Sequence, residues 1–207
     1  MFRTTRRRLR DCRRFIQSNS RLLFLLTLLL SGFVVGCLVF HYYGQAESAY
    51  LGTLLSVQKL GNGIQQYLSA LYSSCFLPIV LLAILFLCGL SACGMPMILL
   101  VPVFYGLGLG LSESFYYSSG LRGVLIVVCL ILPHILLKSA ALLMASCEAM
   151  RMTLSLSAQF TAHAVGMGGL SRSFRLYVQR FLLFLCLLLA AGILDVLLRL
   201  LCQSWLL

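Results

Sequence analysis

From Leu60 to Ser112 the chain carries no Asp, Glu, Lys or Arg. Its apolar heart runs from Leu77 to Pro102, broken only around Gly89–Pro96. A helix that crosses a bilayer needs ~20 residues at ~1.5 Å rise to cover ~30 Å of hydrocarbon. The run is long enough for two such helices, and its Gly/Pro punctuation falls where a hairpin between them turns. The same reading along the rest of the chain predicts five spans, at about Leu22–Tyr42, Leu71–Leu90, Met95–Leu111, Gly123–Cys147 and Phe181–Leu206. The predicted fold is an all-α integral membrane bundle, one domain over residues 1–207.

Two connecting segments keep helical periodicity. Tyr50, Leu54 and Val57, then Ile64, Tyr67, Leu68 and Leu71, recur at helical spacing around Gly61-Asn-Gly63. Beyond span four, Met152, Leu156 and Phe160, then Leu170, Phe174, Tyr177 and Val178, do the same around Gly166–Gly169. Both patterns predict short amphipathic helices lying on a membrane face. The longest stretch outside the spans is about thirty residues, too small to bury a core of its own. No soluble domain is expected.

Composition agrees with this pattern. Hydrophobic residues make up 61% of the chain and charged residues 10%, against about a quarter in an average soluble domain. The net charge of +11 suggests a nucleic-acid binder until its placement is read. Eight basic residues lie in the first 21 positions, directly before an apolar run of 19 residues, Leu22–Phe40. That is a cytoplasmic flank facing anionic lipid headgroups, not a nucleic-acid surface. The apolar run is too long for the core of a signal peptide, and no Ala-x-Ala-like site follows it. Four more basic residues fall in Glu148–Arg180, while the other two loops hold only Lys59 and Arg122. By the positive-inside rule the N-terminus is cytoplasmic and the C-terminus extracytoplasmic. The nine cysteines are scattered through apolar segments and none form Cys-x-x-Cys, so they read as small buried hydrophobes. Cys88 and Cys93 flank the hairpin turn without a neighbouring His, and no metal or other cofactor is expected.

Few residues carry candidate chemistry. Gly32-Phe-Val-Val-Gly36 and the run Gly106-Leu-Gly-Leu-Gly110 are small-residue stripes that let helices approach closely in lipid, within the chain or between two copies. Packing within the chain is the favoured reading. Gly89, Gly94, Pro96 and Pro133 are packing and turn positions of the same kind. Lys138 lies ten residues before Glu148, ~15 Å into the membrane. Asp195 and Arg199 are spaced i,i+4 in the last span, a favourable orientation for an ion pair. Ionisable groups at such depth cost ~2.5–3.5 kcal/mol each on insertion scales and default to functional candidates. The structural reading is that Arg199 neutralises Asp195 while snorkelling, and that Lys138 extends its stem toward a headgroup. Gly89-Leu-Ser91-Ala resembles the nucleophile motif of rhomboid-type proteases, but Ser91 sits at the hairpin turn, ~20 Å from His134, while His163 lies in a loop. No phosphate-binding loop, dinucleotide fingerprint or paired catalytic carboxylates occur. No enzyme is expected.

In order along the chain stand Leu30-Ser-Gly32-Phe-Val-Val-Gly36, Leu87-Cys-Gly89-Leu-Ser91-Ala-Cys-Gly94-Met-Pro96-Met-Ile-Leu99, Gly106-Leu-Gly108-Leu-Gly110, Gly123, Leu132-Pro133-His134-Ile-Leu136, the small-residue stretch Ala140–Ala149, and Ala191-Gly192-Ile-Leu-Asp195. Together they resemble the stage II sporulation protein M family over nearly the whole chain. The family's acidic residue in the last span corresponds to Asp195. The resemblance implies a non-enzymatic, multi-pass component of the engulfment machinery of endospore-forming bacteria. Such a protein is thought to recruit and position cell-wall hydrolases, the stage II sporulation proteins P and D, at the division septum. The alternative is the membrane subunit of a transport or export complex, helped by the glycine-broken hairpin and hurt by the lack of a polar cavity signature.

Overall fold

A computed structural model describes residues 20–43, 64–91, 94–117, 124, 127–162 and 168–206. They form five α-helices and one π-helical turn: α1 Ser20–Tyr43, α2 Ile64–Gly89, α3 Met95–Tyr117, the π turn Val127–Ile131, α4 Leu132–Ala162 and α5 Gly168–Leu206. No strand occurs among the described residues. Four of the helices are long and apolar enough to cross a membrane, over Ser20–Tyr43, Leu71–Gly89, Met95–Tyr117 and Phe174–Leu201. Their outward faces carry Leu30, Val34, Leu87, Phe104 and Leu183, each more than half exposed. Apolar residues on the outside as well as the inside belong to a bundle whose solvent is lipid. The protein is a membrane protein.

The fourth helix escapes that apolar criterion for a physical reason. α4 touches α1, α2, α3 and α5, so it runs through the centre of the bundle. Ala141, Ala145 and Ala149, one per turn, are fully buried and let neighbouring helices approach its backbone. On the sides covered by its four neighbours, α4 holds His134, Lys138, Ser146 and Thr153 in buried positions, while Leu136 and Met144 stay exposed. At 31 residues, ~46 Å, it is long enough to cross.

Where they are described, the amphipathic connecting segments are not separate short helices; Tyr50, Leu54 and Val57 lie outside the described residues. Ile64–Leu71 forms the first two turns of α2, the Met152–Phe160 pattern continues α4 to Ala162, and Gly168 and Gly169 open a single 39-residue α5. Nothing in the side chains stops these helices where the apolar stretch ends, so they run on past it. The predicted fourth span differs at its start, where the π turn precedes Pro133. A proline ring at 133 cannot accept the α-helical pattern of the preceding turn, and a widened turn absorbs the misfit. The basic residues before Arg21, the Gly61–Gly63 break, Cys93, Gly123, His163 and Gly166 lie outside the described residues.

The α2–α3 hairpin closes with a full accounting of backbone groups. The last four carbonyls of a helix have no partner within it. Here Leu87 O accepts from Leu90 N (3.2 Å) and Cys88 O from Ser91 N (3.1 Å). Phe86 O accepts the Tyr177 hydroxyl of α5 (3.0 Å), and Gly89 O the Thr153 hydroxyl of α4 (3.4 Å). Gly94 is required because a Cβ there would overlap the Cys88 carbonyl. Pro96 sits in the first turn of α3, where its missing N–H costs no helical bond. α4 and α5 thus clamp the hairpin from outside.

Candidate functional site

The polar centre of the bundle begins with a proline. Pro78 lies inside α2 and has no N–H to give to the carbonyl four residues earlier, which is that of Ser74. Lys138 of α4 supplies the missing donor. Its Nζ reaches Ser74 O at 3.1 Å and Ser74 Oγ at 2.6 Å. The Ser74 hydroxyl in turn donates to Asp195 Oδ2 of α5 at 2.5 Å. Arg199 completes the shell of the carboxylate with a two-pronged contact, Nε to Oδ1 at 3.0 Å and Nη2 to Oδ2 at 3.1 Å. His134 Nδ1 stands 3.6 Å from Asp195 Oδ1.

Helical spacing explains why these five groups converge. His134 and Lys138 are i,i+4 on α4, and so are Asp195 and Arg199 on α5, so each pair shares one face. Gly192 lies one turn before Asp195, and a Cβ there would collide with Cys75 Sγ. The missing side chain lets α5 approach α2 closely enough for Asp195 to meet Ser74. Asp195 is 1% exposed and Lys138 4%, so the acid and the lysine are cut off from solvent and lipid, while Arg199 at the edge stays 18% exposed. Such burial is tolerable because Asp195 offsets one of the two cationic charges and no buried side-chain nitrogen or oxygen among the described residues lacks a hydrogen-bond partner.

The chemistry this allows is narrow. Ser74 and Lys138 are as close as the members of a Ser–Lys catalytic dyad, but the roles are reversed: the ammonium donates, and the serine proton points to Asp195. A base must accept that proton, so the pair is not poised for nucleophilic attack. What remains is an ordered line of hydrogen bonds, Lys138 to Ser74 to Asp195, tying α2, α4 and α5 together. Lys138 therefore does not extend toward a headgroup; the carbonyl freed by Pro78 holds it inside. Among the described residues no three His, Cys, Asp or Glu side chains gather as a metal site would require.

The glycine stripes meet each other. A Cβ at Gly32 would strike the Val103 carbonyl, one at Gly36 the Leu107 carbonyl, one at Gly106 the Leu29 carbonyl, and one at Gly110 the Phe33 carbonyl. Both sets of numbers rise together, so α1 and α3 run parallel with their backbones in contact. Gly110 O also accepts the Cys37 thiol at 3.7 Å. Gly108 has nothing within 4 Å and faces away. Each stripe is buried by the other, which places both motifs in packing within the chain. Gly89 serves the hairpin clamp, since a Cβ there would overlap the Tyr177 hydroxyl. Pro133 follows the π turn and is half-buried.

The expected site residues included Lys138, Asp195 and Arg199 but neither Ser74 nor His134. Both left a trace in the sequence. Ser74 is the residue whose carbonyl a proline must orphan, and His134 sits one turn from Lys138 on the same face. The family model described as stage II sporulation protein M matches residues 25–198, a stretch that takes in Ser74, His134, Lys138 and Asp195. No curated protein and no solved structure matches the chain.

Proposed function

The chain belongs to the stage II sporulation protein M family, and on that premise we propose that it is a non-enzymatic scaffold of the cell membrane. In this reading it recruits or positions peptidoglycan hydrolases, the stage II sporulation proteins P and D, at the septum during engulfment. The N-terminus is cytoplasmic and the C-terminus extracytoplasmic, as the distribution of basic residues implies. The supporting observation is that the bundle's polar chemistry is spent on holding helices together. Lys138, Ser74, Asp195 and Arg199 bond to one another, and Tyr177 and Thr153 bond to the hairpin carbonyls. A protein that positions others needs a frame with fixed ends and no turnover of its own. Mild solubilisation followed by capture of the intact membrane complex tests this. The hydrolases should co-purify, and a complex that contains neither would remove the reading.

One observation favours the second reading, a transport or export subunit. The Lys138–Ser74–Asp195 line is an unbroken chain of proton-bearing groups inside a membrane domain, the setting in which relays occur. Genes for sporulation hydrolases beside this one would support the scaffold, and an adjacent ATPase gene the transporter. Co-purification of an ATPase in the same capture would decide for transport.

A further inference from the structure

Where α4 and α5 leave the apolar part of the bundle they enclose a cleft of about 200 Å³, lined by Glu148, Arg151, Met152, Ser155, Leu176, Tyr177 and Arg180. We propose that this cleft binds the phosphate headgroup of an anionic phospholipid, held by Arg151 from α4 and Arg180 from α5. The proposal is independent of the scaffold reading and of the Asp195 cluster. It requires only that this end of the bundle lie at a leaflet rich in anionic lipid, as the concentration of basic residues there implies.

Charge is the first support. Glu148 carries one negative charge between two guanidiniums, with Oε1 at 2.9 Å from Arg151 Nη1 and Oε2 at 2.6 Å from Arg180 Nη1. The trio keeps a net charge of +1. Each guanidinium has five N–H donors and gives one to Glu148 in these bonds, so both retain donors for a phosphate. Their side chains are 60% and 48% exposed, whereas Glu148 is only 16% exposed beneath them. The carboxylate therefore acts as a strut. It sets two forks from different helices toward one point, and forks are the geometry that suits phosphate oxygens.

Level and wall chemistry favour a lipid over a free anion. Glu148 marks the end of the small-residue stretch of α4, and Arg180 immediately precedes the apolar run of α5 that begins at Phe181. The arginines thus stand at the boundary between hydrocarbon and water. Met152 and Leu176 line the same cleft, with Leu176 47% exposed, so an acyl chain leaving the headgroup meets apolar surface. The volume is that of roughly six or seven waters, enough for a phosphate with its glycerol. Basic pockets between membrane helices take anionic headgroups by the same logic.

The test counts lipid retained on the full chain, purified in mild detergent and read by native mass spectrometry after equilibration with phosphatidylglycerol or phosphatidylcholine. The wild type should retain phosphatidylglycerol in preference. Arg151→Gln and Arg180→Gln should each lower that retention about five-fold, the equivalent of about 1 kcal/mol per arginine. Glu148→Gln should raise it, because the amide keeps the length and a carbonyl acceptor between the two guanidiniums while removing the negative charge that competes with a phosphate. Arg175→Gln lowers net charge by the same amount on the same helix but lies outside the cleft, and it should change nothing. Both Arg180→Gln and Glu148→Gln break the same ion pair, so loss of structure cannot produce their opposite signs. Equal retention of the two lipids, or an Arg175→Gln effect as large as that of Arg180→Gln, would overturn the proposal. Displacement of phosphatidylglycerol by equimolar inorganic phosphate would assign the cleft to free phosphate and also reject the lipid.

Discussion

Removing the carboxylate of Asp195 should do more damage than removing either of its cationic neighbours. Asp195 is 1% exposed and accepts Arg199 twice and Ser74 once, with His134 at 3.6 Å. In Asp195→Ala the cluster retains Lys138 and Arg199 without any acid, and the Ser74 hydroxyl loses its acceptor. Breaking a buried pair by deleting one partner costs ~3–5 kcal/mol. For a chain of about this length, each kcal/mol shifts the melting temperature by ~2–4 °C, so the expected drop is roughly 6–20 °C. Adding Arg199→Leu removes the orphaned charge and should recover much of the loss. Lys138 can stay, since both its acceptors belong to Ser74. The assay is thermal unfolding in detergent alongside the amount of protein in membranes, with both single variants and the double variant closing a cycle. The coupling between the two sites should fall at 0.5–3 kcal/mol, stabilising in the wild type. A melting temperature for Asp195→Ala within about 2 °C of wild type, or a double variant no better than the single, would refute the pairing account. An abundant, stable, inactive Asp195→Ala would place the residue in a functional site instead.

Pro78→Ala restores an N–H to bond the Ser74 carbonyl within α2, so Lys138→Met should cost about 1 kcal/mol less in that background than alone; additive costs in thermal unfolding would show that the freed carbonyl does not hold Lys138. Gly106→Leu places atoms against the Leu29 carbonyl and the Phe33 backbone, which cannot yield, so α1 should separate from α3 at a cost of about 3 kcal/mol or more. Gly108→Leu meets open space and is the control, and equal unfolding temperatures for the two variants would contradict the parallel glycine contact. In a cysteine-free background, single cysteines at Ser48 and Ser118 should react with an impermeant thiol reagent on intact, wall-stripped cells, and one at Ser171 only after lysis. Labelling of Ser171 in intact cells would reverse the proposed orientation.

Composition and the requirement for ~20 apolar residues were enough to read the helical class and the hairpin, because in lipid an unbroken apolar run of that length satisfies its own backbone hydrogen bonds only as a helix. Gly94 and Pro96 mark the turn for local reasons that need no knowledge of neighbours, whereas Gly89 makes room for Tyr177 of α5. Helix ends were less legible. α4 and α5 run well past their apolar stretches, and hydropathy reports where lipid ends, not where a helix does. The polar cluster was half visible. Asp195 and Arg199 pair within one helix, so spacing alone reveals them. Ser74 and His134 join only through the lateral arrangement of three helices, which periodicity does not encode. The position of Pro78 four residues after Ser74 was the available clue, and it pointed to a freed carbonyl without saying which side chain would meet it. The central place of α4 likewise follows from contacts with all four neighbours, which explains why the chain puts its buried lysine there.

The most direct test of the scaffold is the position of a fluorescently tagged septal wall hydrolase in sporulating cells that lack this gene. The hydrolase should disperse from the septum and engulfment should stall. Wild-type protein and Gly108→Leu should restore the focus, while Gly106→Leu should not. Unchanged septal focusing of the hydrolase in cells without the protein would contradict the scaffold and leave transport as the function to pursue.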